Sequence, residues 1–387
     1  MTTMTESYDV IIIGAGSIGL PAATMISQAG LRVLVLDKLA SPGQGSNKKA
    51  IGGIRATHSD KAKITLGNRS IELFSGWKEM TGDEIEWYKG GYSFVAYHEP
   101  ESTSLQSLVK EQQALGLNIA WLDKKQMLEK VPDLNPVNLL GGTFSPDDGS
   151  ASPLLMAASC FKQAKAHGCV FHFTEQVTDL LVNSGRIEGV VTAKGTYFAP
   201  IVINAAGAWA AAIAELAGIK IPVVPDSHEA AITEPVARFF DPMIVDIHPD
   251  ENSANCYFYQ HWTGQIFFCI TPAPNIWGFD TNETSQFLPQ SAKRIIELMP
   301  RLKNIRVRRT WRGLYPMTPD GSPVLGCSKD CSGFIQAAGM CGQGFMLGPA
   351  MGEMLARMVM DKLTPLDLEI LDILSPYREF SGHEKLK

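Results

Sequence analysis

A chain of 387 residues, 45% hydrophobic and 19% charged, has the composition of an ordinary globular protein of two or three domains, which excludes disorder, collagen or coiled coil as its main plan. With 34 Lys and Arg against 40 Asp and Glu, the formal charge is −6, and the absence of basic runs speaks against nucleic acid or an anionic membrane as partner. Seven scattered Cys without a C-x-x-C pair argue against a disulfide framework or structural zinc, so no metal site is expected.

Met1 to Tyr8 lacks a basic segment followed by an apolar stretch, and no uncharged apolar run is long enough to cross a bilayer. A cytoplasmic protein without an integral membrane segment is therefore expected. Val10-Ile11-Ile12-Ile13 reads as a buried strand running into Gly14-Ala15-Gly16-Ser17-Ile18-Gly19. An Ala-rich helix follows to about Ala29, with local distortion expected at Pro21. Gly30 ends it, and Arg32 to Leu36 is a second buried strand closed by Asp37, completing a βαβ opening. Ser41 to Gly53 reads as a long loop, Lys61 to Met80 as helical, and Trp87 to Tyr97 as strands. Helices are expected over Leu105 to Leu115, Lys124 to Val131 and Ser152 to Gly168, the last capped by Ser152. Short strands fill Val170 to Gly207, turning at Asn183-Ser184-Gly185 and Lys194-Gly195 and ending with Ile201 to Asn204. Pro222 to Phe279 reads mostly as strands, Ser291 to Met299 as a helix, and Val307 to Tyr315 and Phe334 to Ala338 as strands. A long helix over about Phe345 to Asp361 closes the pattern. The expected fold is an α/β nucleotide-binding domain from 1–85, 141–220 and 315–387, joined to an α+β domain with a mixed, mostly antiparallel sheet from 86–140 and 221–314.

The first Gly-rich turn carries the strongest chemistry. Gly14 permits the tight turn, Gly16 lets backbone approach a pyrophosphate, and Gly19 lets helix and strand pack closely. The helix start offers free N–H groups to phosphates, and Asp37 is placed to accept from a ribose hydroxyl. After Asp37 the chain leaves the βαβ pattern and returns near Val170 as a strand meander ending in Asn204-Ala205-Ala206-Gly207-Ala208-Trp209, which resembles the FAD domain of glutathione-reductase-like flavoproteins. A second Gly-rich turn, Gly339-Met340-Cys341-Gly342-Gln343-Gly344-Phe345-Met346, again precedes a helix.

With Gly52-Gly53-Ile54-Arg55 and Trp311-Arg312-Gly313-Leu314-Tyr315-Pro316, these pieces resemble the D-amino-acid-oxidase superfamily, above all its sarcosine oxidase β-subunit, glycine oxidase and dye-linked proline dehydrogenase group. The resemblance spans nearly the whole chain. It implies FAD and oxidation of a small amino or imino acid at a C–N bond by hydride transfer to flavin N5. It also implies a cofactor wall that includes Ser17, Ile18, Lys38, Ser46, Lys49, Gly53 and Val177, then Ala206, Gly207 and Trp209, and the second turn. Relatives tether flavin through a Cys where this chain has Gly313, or a His near Lys49, so the FAD is expected to be non-covalent. The relatives' usual carboxylate anchors are replaced by Tyr315 and Met346. Arg55 and Arg312 are the remaining candidates, because a guanidinium fork fits a carboxylate. Tyr257, Tyr259 and His261 alternate along one strand and share a face that would roof the flavin, with Lys49 beside the ring. The expected electron acceptor is O2 or a partner redox protein or quinone, in a homo- or hetero-oligomer. Two alternatives remain open: oxidation of a hydroxy acid or glycerol phosphate on the same fold, and a non-catalytic flavin-binding subunit.

Overall fold

The structure, a computed structural model, describes residues 5–382 together with Glu384 and Leu386. Two sheets organise it. The first has six strands in the order Val324–Cys327, Phe334–Ala338, Ile201–Asn204, Val10–Ile13, Val33–Asp37, Val170–Phe173. All neighbours run parallel except the first pair. The Val-Ile-Ile-Ile run is buried at every position because both faces of this sheet are covered. Val10, Ile12, Val33 and Val35 pack on the helices Gly19–Gln28, Pro153–Ala166 and Gly344–Val359. Ile11, Ile13, Leu34 and Leu36 face a four-stranded sheet, a three-stranded meander with Thr5–Ser7 added in parallel, through Val177, Leu180, Ile187 and Val190.

The expected distortion at Pro21 is absent. The helix begins at Gly19, so Pro21 lies in its first turn, where a missing N–H breaks no intrahelical bond.

The second sheet has eight strands: Val307–Met317, Val224–Thr233, Ile266–Pro272, Ser253–Gln260, Met243–Asp246, Tyr92–Ala96, Gly141–Phe144, Ala120–Asp123. It is antiparallel apart from the pairing of Met243–Asp246 with Tyr92–Ala96. On one face Ile244, Cys256, Phe258 and Phe268 pack on the helix Phe287–Leu298. The other face looks towards the parallel layer. Strand Gly141–Phe144 pairs in this sheet although the sequence pattern assigned it to the nucleotide-binding layer, and Val307–Met317 runs on past residue 314. A further helix, Pro365–Ile373, follows the one expected last, opened by a capping box between Thr364 and Asp367. Among the described residues no helix is long and apolar enough to cross a membrane.

Candidate active site

A cavity of about 510 Å³ runs between the two layers, from the Gly14 turn to the inner face of the eight-stranded sheet. Backbone builds its first end. Gly14 has φ +108°, and a Cβ there would sit 2.5 Å from the Ala205 carbonyl, so only glycine makes this turn. A Cβ on Gly16 would meet nothing within 4 Å, and Gly16 opens onto the cavity. Gly19 lies behind the wall: its added Cβ would fall 1.9 Å from the Gly14 carbonyl, and it serves helix packing. Ser17 and Ile18 line the cavity beside Gly16. The Ser17 hydroxyl donates to Asn47 Oδ1 at 2.9 Å, and Asn47 Nδ2 donates to the Pro153 carbonyl. Asn47, also in the wall, had no motif to mark it.

Asp37 accepts the amides of Ala15 at 2.7 Å and Leu39 at 2.8 Å. Burial pushes its carboxyl above the usual range, and those two amides pull the other way. Lys38 sits 3.4 Å over the Trp209 ring, and both line the cavity with Val177, Ala206 and Gly207. The second Gly-rich turn joins the wall through Gly342, Gln343, Gly344, Phe345 and Met346. Gly339 stands outside the wall, where a Cβ would fall 2.5 Å from the Thr318 methyl. The two helices that start at these turns cross closely, because a Cβ on Gly348 would lie 2.2 Å from the Ser17 carbonyl. Backbone that admits no Cβ at Gly14 and leaves open space above Gly16 and Gly207 fits a dinucleotide.

The far end is a chamber of side chains. Arg55 is 7% exposed, lies against Tyr92 and Phe94, and donates from Nη2 to the Leu386 carbonyl at 2.9 Å. Its Nη1 has no hydrogen-bond partner among the described residues. Tyr257 and Tyr315 reach in from separate strands, their hydroxyls 2.8 Å apart. Burial raises both phenols well above their ordinary value, so they stay protonated. The Tyr315 ring stacks on His228 at 3.9 Å, and His228 bonds Asp226 at 3.0 Å. Ser46 and Gly53 line the passage between the two ends, Ser46 donating to the Leu314 carbonyl. Lys49 lines it too; burial lowers its ammonium pKa, aided by Lys48.

Besides Gly19 and Gly339, three residues expected on the substrate side lie elsewhere. Arg312 points to the opposite face of its strand, bonding Asp280 at 3.1 Å and the Asn282 carbonyl at 2.9 Å. Tyr259 shares the face of Tyr257 but stays out of the cavity wall, stacking on Phe267 and spending its hydroxyl on the carbonyl of Ile51, which lines the cavity. His261 falls beyond the strand end at Gln260, where it bonds Thr263, and it does not line the cavity. Asn255, one alternation before Tyr257, lines the chamber instead.

Residues 9–358 match the family described as FAD dependent oxidoreductase, DAO. The chain belongs to the DAO family. This DAO protein is 29% identical over 374 residues to glycine oxidase from Geobacillus kaustophilus, covering 94% of this chain and 96% of that one. It is 24% identical to human mitochondrial sarcosine dehydrogenase over 99% of its own length but 43% of the relative's. Among solved structures, L-proline dehydrogenase from P. horikoshii superposes with a TM-score of 0.90 at 31% identity, over 97% of this chain and 98% of that one. The DAO protein is thus an FAD-dependent oxidoreductase of the amino-acid oxidase and dehydrogenase kind.

Proposed function

We propose that this protein oxidises a small amino or imino acid, of the glycine, sarcosine or proline type, at its Cα–N bond. The observation that carries the reading is the buried Arg55 guanidinium, with Nη1 unpartnered among the described residues, in one chamber with the Tyr257–Tyr315 hydroxyl pair. Arg55 takes the substrate carboxylate, because a guanidinium in a buried apolar chamber recognises a planar anion through charged hydrogen bonds. The aromatic walls, Tyr92 and Phe94, hold the carbon skeleton and exclude water. The Gly14 and Gly342 turns and Asp37 would hold FAD, which would supply the two-electron sink for the hydride leaving Cα. The substrate nitrogen's lone pair closes the C=N bond, and water then hydrolyses the imine. No chain carboxylate is needed as a base when the amine enters neutral.

The same reading makes the FAD non-covalent. Gly313 offers no thiol, and a Cβ there would already lie 2.7 Å from Lys49 Cβ. It also makes the parallel layer a glutathione-reductase-like variant, supported by helices on one face and a strand meander on the other. Seven free cysteines suit a reducing compartment. The test is to purify the yellow protein and add glycine, sarcosine, L-proline and D-alanine anaerobically. Bleaching of the flavin band by at least one supports the reading. Bleaching by glycerol phosphate or a 2-hydroxy acid alone would replace it.

A further inference from the structure

The chamber holds a second unsatisfied group. Asn255 is 5% exposed, and its Oδ1 has no hydrogen-bond partner among the described residues. A buried amide oxygen left unpaired is costly, so its donor has to come from what enters the chamber. Asn255 sits on the Ser253–Gln260 strand with Tyr257 on the cavity face, while Cys256 and Phe258 face the core behind. Across the ladder it pairs with Thr271, another chamber residue.

We propose that Asn255 reads the substrate's amine: its Oδ1 accepts one N–H from an un-ionised amino or imino nitrogen while Arg55 holds the carboxylate. The assignment rests on the amino-acid reading above and adds the nitrogen to it. Charge supports it. Among the described residues the acids in the cavity wall are Asp37 and Glu175, both at the nucleotide end, where the Glu175 amide donates to the Asp37 carbonyl at 3.0 Å. Among the described residues no carboxylate lines the chamber end; the buried Asp148 and Glu384 stand outside the wall and act on Arg55. The Arg55 guanidinium itself opposes an ammonium. The other titratable groups in the wall around this space are Tyr92, Tyr257 and Tyr315, with Cys341 on the second turn and Lys49, a further cation, in the passage; Cys269 lies behind against Tyr257. Burial raises the three phenols and the Cys269 thiol, Tyr92 and Cys269 to about 12, so these four remain neutral. A neutral acceptor beside a cation selects a neutral N–H donor. Primary and secondary amines have one when un-ionised; a tertiary amine has none.

The experiment compares flavin-loaded wild type with Asn255→Leu and Asn255→Asp. The probes are L-proline and N-methyl-L-proline, sarcosine and N,N-dimethylglycine, and cyclopentanecarboxylate as an acid without nitrogen. Wild type should favour each N–H substrate over its tertiary partner by about tenfold or more in kcat/KM, and Asn255→Leu should erase most of that ratio. Cyclopentanecarboxylate, followed by its perturbation of the flavin spectrum, should bind both proteins within about twofold. Asn255→Asp has nearly the volume of the native side chain and keeps an acceptor, so it carries the test if Asn255→Leu loses flavin. Its new charge stabilises bound ammonium, and the acidic limb of kcat should move to higher pH by about one unit or more. An unchanged N–H to tertiary ratio, equal weakening of the nitrogen-free acid, or an unmoved limb would overturn the assignment while leaving amino-acid oxidation intact. If no amino acid bleaches wild-type flavin, the reaction itself is misread and the assignment falls with it.

Discussion

At the residue scale, the two arginines separate by strand parity. Side chains alternate along a strand, so Arg312 and Tyr315, three positions apart on Val307–Met317, face opposite sides. Tyr315 looks into the cavity, and Arg312 serves Asp280 and the loop at Asn282. Arg312→Ala should therefore lower the melting temperature and leave KM within about twofold, since charged hydrogen bonds are worth roughly 1.5–3 kcal/mol to stability. A large rise in KM with unchanged stability would return Arg312 to the site. Arg55→Ala should lower kcat/KM about ten- to a hundredfold at normal flavin content, and Arg55→Lys less, because Lys keeps the charge but loses the planar fork. Wild-type kinetics in Arg55→Ala would remove the carboxylate anchor proposed here.

At the element scale, two helices start at Gly-rich turns, and their glycines do different work. Gly16 faces open cavity, so Gly16→Val should fold and fail to hold FAD, read as loss of the yellow colour on gel filtration. Gly348 faces the Ser17 carbonyl, so Gly348→Val should force Gly344–Val359 away from Gly19–Gln28. It should cost stability as well as flavin, and thermal melts of the apoprotein distinguish the two variants. Equal melting of apo Gly348→Val and apo wild type would show that the helix crossing tolerates the bulk. The motif marked the turns, but the spacing said nothing of which glycines meet ligand and which meet backbone.

At the scale of the whole molecule, Glu384 ties a distant part of the chain to the helix Lys61–Ser75. Its buried carboxylate pairs with the buried Lys63, while Leu386 beside it reaches Arg55. Burial pushes the Glu384 carboxyl up, but the neighbouring His58 and the Lys63 ammonium outweigh it and hold the pKa well below the usual value. A carboxyl with a depressed folded pKa stabilises fully above its unfolded value near 4.5 and loses that contribution as pH falls through the folded one. Glu384→Gln leaves the buried Lys63 ammonium with Asp60 and the Gly321 carbonyl and should cost roughly 3–5 kcal/mol at pH 7. The gap to wild type should narrow as pH falls below 4.5, measured as urea midpoints at both ends. A gap constant with pH would mean that the pair contributes packing rather than charge.

Sequence alone determined the parts whose signal is local. The Val10–Ile13 strand, the Gly14–Gly19 turn and Asp37 lie within one βαβ unit, where hydrophobic period and glycine spacing act over a few residues. The second Gly-rich turn and the Arg55 motif were legible in the same way, through their order along the chain. Tertiary structure decided the chamber. Arg55, Asn255, Tyr257 and Tyr315 come from a loop and two strands of one sheet, and only its register sets which faces meet the cavity. Asn255 carries no motif, His261 misses the face because the strand stops at Gln260, and Tyr259 is diverted by the Ile51 carbonyl. Strand ends and unpaired buried groups depend on neighbours hundreds of residues away, as the bond from Arg55 to Leu386 does, and short-range pattern has no term for them.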